Sequence, residues 1–212
     1  MENINNSPEI RFSFDKDKFI TVMQILSQRT PNLDSLKAVK LLYLIDREYL
    51  RTNGRPVLGD YYVAMEHGPV PSMSYDILKR ILSGNSRDLP LSVDMNRSTY
   101  PVFITDEDPE LSFLSETEKC AIEKVLSEYG SRTGWELRDI THCHAAWMES
   151  QGTFLEGPNQ IDYKLFQTHY TLFQTNCKPF QTHCKPLYHD FHMGLVSFVI
   201  LKPRKMSLAL LS

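Results

Sequence analysis

The segment from Leu33 to Arg51 carries the strongest hydrophobic pattern of the chain and limits the folds that the chain can adopt. Its apolar residues recur at helical spacing on two neighbouring stripes, one of Ala38, Leu42, Ile45 and Tyr49 and the other of Leu36, Val39, Tyr43 and Leu50. An apolar arc this wide predicts a central helix that is packed on more than one side. Gly54 follows and is predicted to end the helix as a left-handed cap.

Asp46 lies on the second of these stripes, between Tyr43 and Leu50. A carboxylate on a packed face must find hydrogen-bond donors or shift its pKa, because burial of an unpaired charge is costly. Two interpretations stay open. Either Asp46 accepts backbone N–H groups from a neighbouring loop, or it binds a partner.

Further helices are predicted from capping residues. The first begins after Asp15, where Phe14 and Phe19 occupy the positions of a hydrophobic staple. Pro71 suits the first turn of another helix. Two capping boxes predict two more helices, at Ser115-Glu-Thr-Glu118 and Thr133-Gly-Trp-Glu136.

Two short β-prone runs, Asp60 to Glu66 and Tyr100 to Thr105, are candidates to pair with each other. His67 to Pro71 is predicted to be an extended turn, because its prolines cannot continue a helix. Residues 85–96 are predicted to be a loop. The expected fold is therefore mostly α, a compact helical domain with a small two- or three-stranded β element of the α+β type.

The end of the chain has a different character. It contains three copies of a seven-residue unit, Phe166-Gln-Thr-His-Tyr-Thr-Leu, Phe173-Gln-Thr-Asn-Cys-Lys-Pro and Phe180-Gln-Thr-His-Cys-Lys-Pro. This period is far below that of folded solenoids, and the recurring prolines exclude a coiled coil. The predicted organisation is a flexible arm (1–13), a helical domain (14–164) and a poorly ordered low-complexity tail (165–212).

Composition and charge exclude several classes of protein. Four cysteines are too few for a disulfide framework, and the run from Leu195 to Leu201 is far short of the roughly 20 residues of a membrane span. Residues 1–164 hold 18 basic and 25 acidic side chains, a balance of −7, which argues against binding to nucleic-acid phosphates. We therefore predict a cytoplasmic protein without a membrane or nucleic-acid partner.

Candidate metal ligands and nucleophiles have ordinary explanations. Duplication of the repeat explains why the two tail cysteines lie seven residues apart. The candidate ligands of the tail are Cys177, Cys184, His169, His183, His189 and His192. In His142-Cys143-His144, alternate side chains of a helix point apart. A triad of Cys143, Asp46 and either His67 or His142 stays open, although no nucleophile motif supports it. No cofactor or metal is predicted.

Several motifs occur in a characteristic order. They are Lys40-Leu-Leu-Tyr43-Leu-Ile-Asp46, then Gly54-Arg55-Pro56, then His67-Gly68-Pro69-Val70-Pro71 with Tyr75, and finally Thr141-His142 with Trp147. Over about residues 14–150 this set resembles the Panacea domain of the SocA-like antitoxin family, which includes phage-associated proteins. The resemblance implies these family-motif or partner-binding positions: Lys40, Tyr43, Asp46, Gly54, Arg55, Pro56, His67, Gly68, Pro69, Val70, Pro71, Tyr75, His142 and Trp147.

The resemblance implies an antitoxin that neutralises its partner toxin by direct protein contact, with delivery of the toxin to the ClpXP protease as one mode. An acidic helical body without a catalytic motif also fits a binding module better than an enzyme. The alternatives are a phage-derived interaction or regulatory protein without a toxin, and a degenerate inactive copy. Our hypothesis for the site is that Asp46 and the segment from His67 to Pro71 pack together and shape the partner surface.

Overall fold

The computed structural model describes residues 11–151 and 159–167. Within these ranges the α-helices are α1 (Lys16–Arg29), α2 (Ser35–Asn53), α3 (Ser72–Leu82), α4 (Glu116–Tyr129), α5 (Gly134–His142) and α6 (Ala145–Met148). Short 3-10 helices cover Leu111–Phe113 and Tyr163–Phe166. The strands are β1 (Tyr62–Met65), β2 (Gly68–Pro71), β3 (Ser92–Asp94) and β4 (Val102–Ile104). The mostly α fold with a small β component is confirmed.

Helix α2 is the central element, as its wide apolar arc predicts. It contacts α1, α3, α4, α5 and β2. Both predicted stripes are buried except for Leu36, which is half-buried. The helix ends at Gly54, whose φ of 73° gives the predicted left-handed cap.

The predicted caps are also confirmed. Asp15 accepts a hydrogen bond from the Lys18 backbone N–H, and the rings of Phe14 and Phe19 lie with their centroids 5.9 Å apart. Both capping boxes form at the starts of α4 and α5. These features depend on residues close in sequence, so local pattern suffices to find them.

The predicted strand pairing is wrong. Strand β1 pairs with β2 in an antiparallel hairpin across a two-residue turn, and β4 pairs with β3 in a second hairpin. The segment predicted to be an extended turn is therefore a strand, and the predicted loop 85–96 contains β3. Neighbouring segments pair here because closing a short loop costs less entropy than joining runs about 35 residues apart.

Residues 159–167 cover the free edge of β1. The Ala64 N–H donates to the Asn159 carbonyl oxygen at 2.9 Å, and the Ile161 N–H donates to the Tyr62 carbonyl oxygen at 2.8 Å. Phe166, the first residue of the first repeat, is fully buried in the core. The core therefore includes the first residue of the repeats, and the repeat residues after Gln167 lie outside the described residues.

Phe12 lies within the predicted N-terminal arm. Phe12 packs edge-on against Tyr163, with ring centroids 4.9 Å apart.

The described part of the chain holds no helix long and apolar enough to cross a membrane. It also holds no group of three acidic, histidine or cysteine side chains arranged to bind a metal ion.

Candidate functional site

Lys40, Tyr43 and Asp46 follow one another at every third position of α2, so they share one side of the helix. All three are fully buried. Each reaches a different segment of the chain, Lys40 towards β2, Tyr43 towards the start of α6, and Asp46 towards the loop after α2. This motif is therefore an internal framework that joins the parts of the domain around α2.

Asp46 accepts three hydrogen bonds. Its Oδ1 accepts the backbone N–H groups of Val57 and Leu58 at 2.9 and 2.8 Å, and its Oδ2 accepts the Tyr62 hydroxyl at 2.9 Å. Burial raises the pKa of Asp46 to about 7, although the Leu58 N–H and the Tyr62 hydroxyl favour the charged form. The interpretation that Asp46 accepts backbone N–H groups from a neighbouring loop is confirmed.

Lys40 makes the contact that we expected from Asp46. Its Nζ donates to the Pro69 carbonyl oxygen at 2.9 Å, whereas the hydrogen bonds of Asp46 go to the loop after α2 and to β1. Burial, together with the smaller effect of the Arg138 charge, lowers the pKa of Lys40 to about 7. The hypothesis that Asp46 packs against the segment from His67 to Pro71 is corrected, because Lys40 rather than Asp46 forms the hydrogen bond to this segment.

The hairpin of β1 and β2, hereafter the proline hairpin, places its prolines at alternate positions. The Ser72 N–H donates to the Tyr61 carbonyl oxygen at 2.9 Å, so the nitrogens of Pro71 and Pro69 point away from β1. Neither proline costs the hairpin a hydrogen bond at these positions. The Pro69 carbonyl also points away from β1 and accepts its hydrogen bond from α2 instead.

Gly68 allows the lysine to approach the hairpin. Its φ is 98°, a conformation that side chains with a Cβ rarely adopt. A Cβ at this position would lie 3.0 Å from both Lys40 Nζ and Thr141 Oγ1. Gly68 is thus required by the packing of α2 and α5 against β2, and Val70 and Pro71 beside it are buried as well.

Tyr43 joins α2 to the chain after α5. Its hydroxyl lies 3.1 Å from His144 Nδ1, and its ring packs against Tyr62 and Phe166 with centroids 5.6 and 5.1 Å apart. Burial raises the pKa of Tyr43 above its usual range and lowers the pKa of His144 to about 3. Both groups are therefore neutral at physiological pH.

His142 and Trp147 connect α5 and α6 to the turn of the proline hairpin. Their rings are stacked, with centroids 3.6 Å apart and planes 10° apart. The Trp147 Nε1–H donates to the Met65 carbonyl oxygen at 2.8 Å. Burial lowers the pKa of His142 to about 4, and its Nε2 has no hydrogen-bond partner within the described residues.

The Gly54-Arg55-Pro56 motif forms the turn that leads to the Asp46 contacts. Pro56 is buried and comes directly before Val57. Arg55 is exposed, and its guanidinium lies over the Tyr49 ring and 3.7 Å from a carboxylate oxygen of Glu118. Two of the three motif residues therefore shape the turn, and Arg55 lies at the surface.

Sequence reasoning missed Asp60, a second fully buried carboxylate. Its oxygens accept the Met73 and Ser74 N–H groups and the Ser74 hydroxyl at 2.7–3.0 Å. Helix α3 follows Pro71, which offers no side-chain cap, so Asp60 caps it from a distant loop. A helix start without a local capping residue was the only available signal.

The residues of the possible triad have separate structural roles. The Cys143 Sγ donates to the Asp139 carbonyl oxygen at 3.5 Å, His142 stacks on Trp147, and Asp46 holds the loop after α2. His67 instead packs edge-on against Trp135, with centroids 5.4 Å apart.

An apolar groove of about 490 Å³ lies beside the proline hairpin. It is lined by α2, the hairpin, α3, the segment 100–101 and α5. Among the predicted site residues, those that line it are Lys40, His67, Val70 and Tyr75. The predicted positions thus separate into a buried framework and a few residues that border one surface.

Residues 39–148 match the model of the family described as antitoxin SocA-like, Panacea domain. The match spans just over half of the chain and contains all the predicted site residues, so the chain belongs to this family. Neither a curated protein nor a solved structure matches the chain. Family membership supports an antitoxin role in general.

Proposed function

We propose that this chain is an antitoxin that neutralises one partner toxin by direct protein–protein binding. The proposal is supported by the positions of the family-motif residues, some of which are buried while others lie at the surface. Lys40, Tyr43 and Asp46 are buried and hold the proline hairpin and the neighbouring loops, while His67 and Tyr75 border an accessible groove. A framework that fixes one apolar surface is suited to binding another protein.

The charge of the chain supports a basic partner. Residues 1–164 carry a balance of −7, and surfaces of opposite charge raise the rate at which two proteins associate. We place the interaction in the cytoplasm, where a toxin made from the same operon would first meet the antitoxin. Neutralisation takes one of two forms, occlusion of the toxin or delivery of the toxin to ClpXP.

A growth-rescue assay tests this function. The adjacent open reading frame is expressed in a bacterial host alone, with the full chain, and with a frameshifted copy of the chain. We expect growth arrest with the first and third and rescue with the second. If the full chain accumulates in folded form and growth is not restored, the proposed function is wrong.

The same assay separates the two forms of neutralisation. Rescue is measured in hosts with and without ClpX, and the toxin level is followed by immunoblot. Occlusion predicts rescue and a constant toxin level in both hosts. Delivery predicts loss of the toxin and rescue only where ClpX is present.

A further inference from the structure

The groove beside the proline hairpin has an apolar wall and an aromatic border. Leu36 and Val39 from α2 and Val70 from β2 line it. Tyr100 and Trp135 line it as well, and both are large side chains that stay more than half exposed, at 56 % and 52 %. Large aromatic side chains lose much exposed area when a partner covers them, and they dominate binding energy at interfaces.

Acidic groups lie at the same groove. Asp34 at the start of α2 and Glu66 at the turn of the hairpin both line it. Among the residues that the structure describes, no lysine or arginine forms an ion pair with Glu66, which is exposed. Lys40 also lines the groove, but its amine is buried and directed to the Pro69 carbonyl.

Other cations near the groove are also engaged. Lys79 lies 5.0 Å from the centroid of the Tyr75 ring and pairs with Asp76 at 2.7 Å. The Arg138 guanidinium lies 5.7 Å from the centroid of the Trp135 ring and pairs with Asp139 at 2.9 Å. Lys37 is buried and donates to the Pro31 carbonyl oxygen at 2.8 Å. The charge available to an incoming group at the border of the groove is therefore negative.

We propose that this groove is the toxin-binding surface. It takes a toxin segment that places a large apolar or aromatic side chain against Trp135 and Tyr100 and a lysine or arginine beside Glu66. The proposal rests on the proposed function and adds to it the binding surface and the chemistry of the bound segment. A rigid hairpin, held by Lys40 and Trp147, keeps Glu66 at the edge of this groove.

Binding measurements with the full chain test the surface. The probe is the product of the adjacent open reading frame, inactivated at its own active site so that it can be purified. Calorimetry compares the wild type with Trp135→Ala and Tyr100→Ala. We expect each to raise the Kd at least about tenfold, as truncation of central aromatic residues does at other interfaces. The matched control is Phe113→Ala, which removes an aromatic residue of similar exposure, 46 %, outside the groove, and we expect a change within about twofold.

A charge reversal tests the basic partner group. Glu66→Lys is expected to raise the Kd about tenfold at low salt and less at high salt, whereas the exposed control Asp108→Lys leaves it nearly unchanged. Toxin variants that restore binding to Glu66→Lys are then selected from a library of toxin genes, and only variants that remain toxic alone are kept. We expect them to replace a lysine or arginine of the toxin by an acidic or neutral residue.

Each outcome decides between the two proposals. If the wild-type chain binds and neutralises the toxin while the groove variants behave like the controls, the groove is not the toxin site and the proposed function stands. If the wild-type chain neither binds nor neutralises the toxin, both proposals fail. If the full chain is a dimer that Trp135→Ala dissociates while toxin affinity is unchanged, the groove holds a second copy and the proposal is overturned.

Discussion

The Lys40 amine and the Pro69 carbonyl oxygen are joined by a hydrogen bond of 2.9 Å that connects the central helix to strand β2 of the proline hairpin. The carbonyl points away from β1, so it would be an unsatisfied buried acceptor without the lysine. The lysine is buried away from water, and its amine donates a hydrogen bond to this carbonyl instead. The position of the hairpin beside the groove depends on this pair.

Replacement of Lys40 by methionine is expected to destabilise the chain by about 1 to 3 kcal/mol, the cost of a buried acceptor that loses its donor. Urea unfolding measures this change, and amide hydrogen exchange of residues 62–71 shows whether the hairpin loosens. Lys37→Met is the matched control, because Lys37 is also buried on α2 and donates to a proline carbonyl, that of Pro31. We expect faster exchange in the hairpin for the Lys40 variant only. Equal exchange in both variants would show that Lys40 does not hold the hairpin.

Gly68→Ala is expected to cost more stability than Gly84→Ala. Both glycines have a positive φ, 98° and 73°, so each alanine adds backbone strain of roughly 1 to 2 kcal/mol. The added Cβ meets Lys40 Nζ and Thr141 Oγ1 at position 68 and nothing within 4 Å at position 84. Overpacking adds about 1 to 3 kcal/mol at Gly68 alone. Thermal and urea unfolding of the two variants would measure the difference, and equal losses would contradict the close approach.

Helices α1 to α5 and one of the two open interpretations of Asp46 could be predicted from the sequence because their determinants are local or periodic. The cap at Asp15 and the two capping boxes use residues only three positions apart. A carboxylate on an apolar stripe must be buried with donors, whichever loop supplies them. For Asp46 the nearest loop in the chain does so, eleven residues later.

The contacts that could not be predicted join distant parts of the chain. Asp60 caps α3 from outside the helix, and Lys40 reaches Pro69 across 29 positions. The two prolines of β2 predicted an extended turn rather than a strand. Whether a proline fits a strand depends on the direction of its backbone nitrogen, which is set by the register and not by composition. Phe166 looked like part of the repeat because its neighbours in sequence are repetitive, although its contacts are Tyr43 and Tyr62.

Asp46 is expected to make stability depend on pH between about 4 and 7. Burial raises the pKa of its carboxyl from 3.8 to about 7, so in this range the folded chain binds more protons at this site than the unfolded chain. Stability from this site is therefore fully present below pH 4 and is lost as the pH rises through 7. Asp46→Asn keeps the shape of the side chain and removes the titration.

The free energy of unfolding of the wild type and of Asp46→Asn, measured by urea unfolding from pH 4 to 8, isolates this effect. The pKa of Asp60 is also raised by burial, and both proteins share that group. Its charge raises the pKa of Asp46, so the difference between the two proteins includes this interaction as well as the burial of Asp46. We expect the wild type to lose stability relative to the variant as the pH rises. A relative gain would mean that the hydrogen bonds from Val57, Leu58 and Tyr62 outweigh burial.

Phe166→Ala is expected to destabilise the domain by about 3 to 5 kcal/mol, because it removes a fully buried ring from the core. The ring packs between Tyr43 and Tyr62, with centroids 5.1 and 5.2 Å away, so its loss leaves a cavity beside the buried family motif. Phe113→Ala is the control, because that ring is 46 % exposed and its loss is expected to cost less than about 1 kcal/mol. Unfolding of the full-length variants would measure both. A loss for Phe166→Ala no larger than that of the control would show that the core ends before the first repeat.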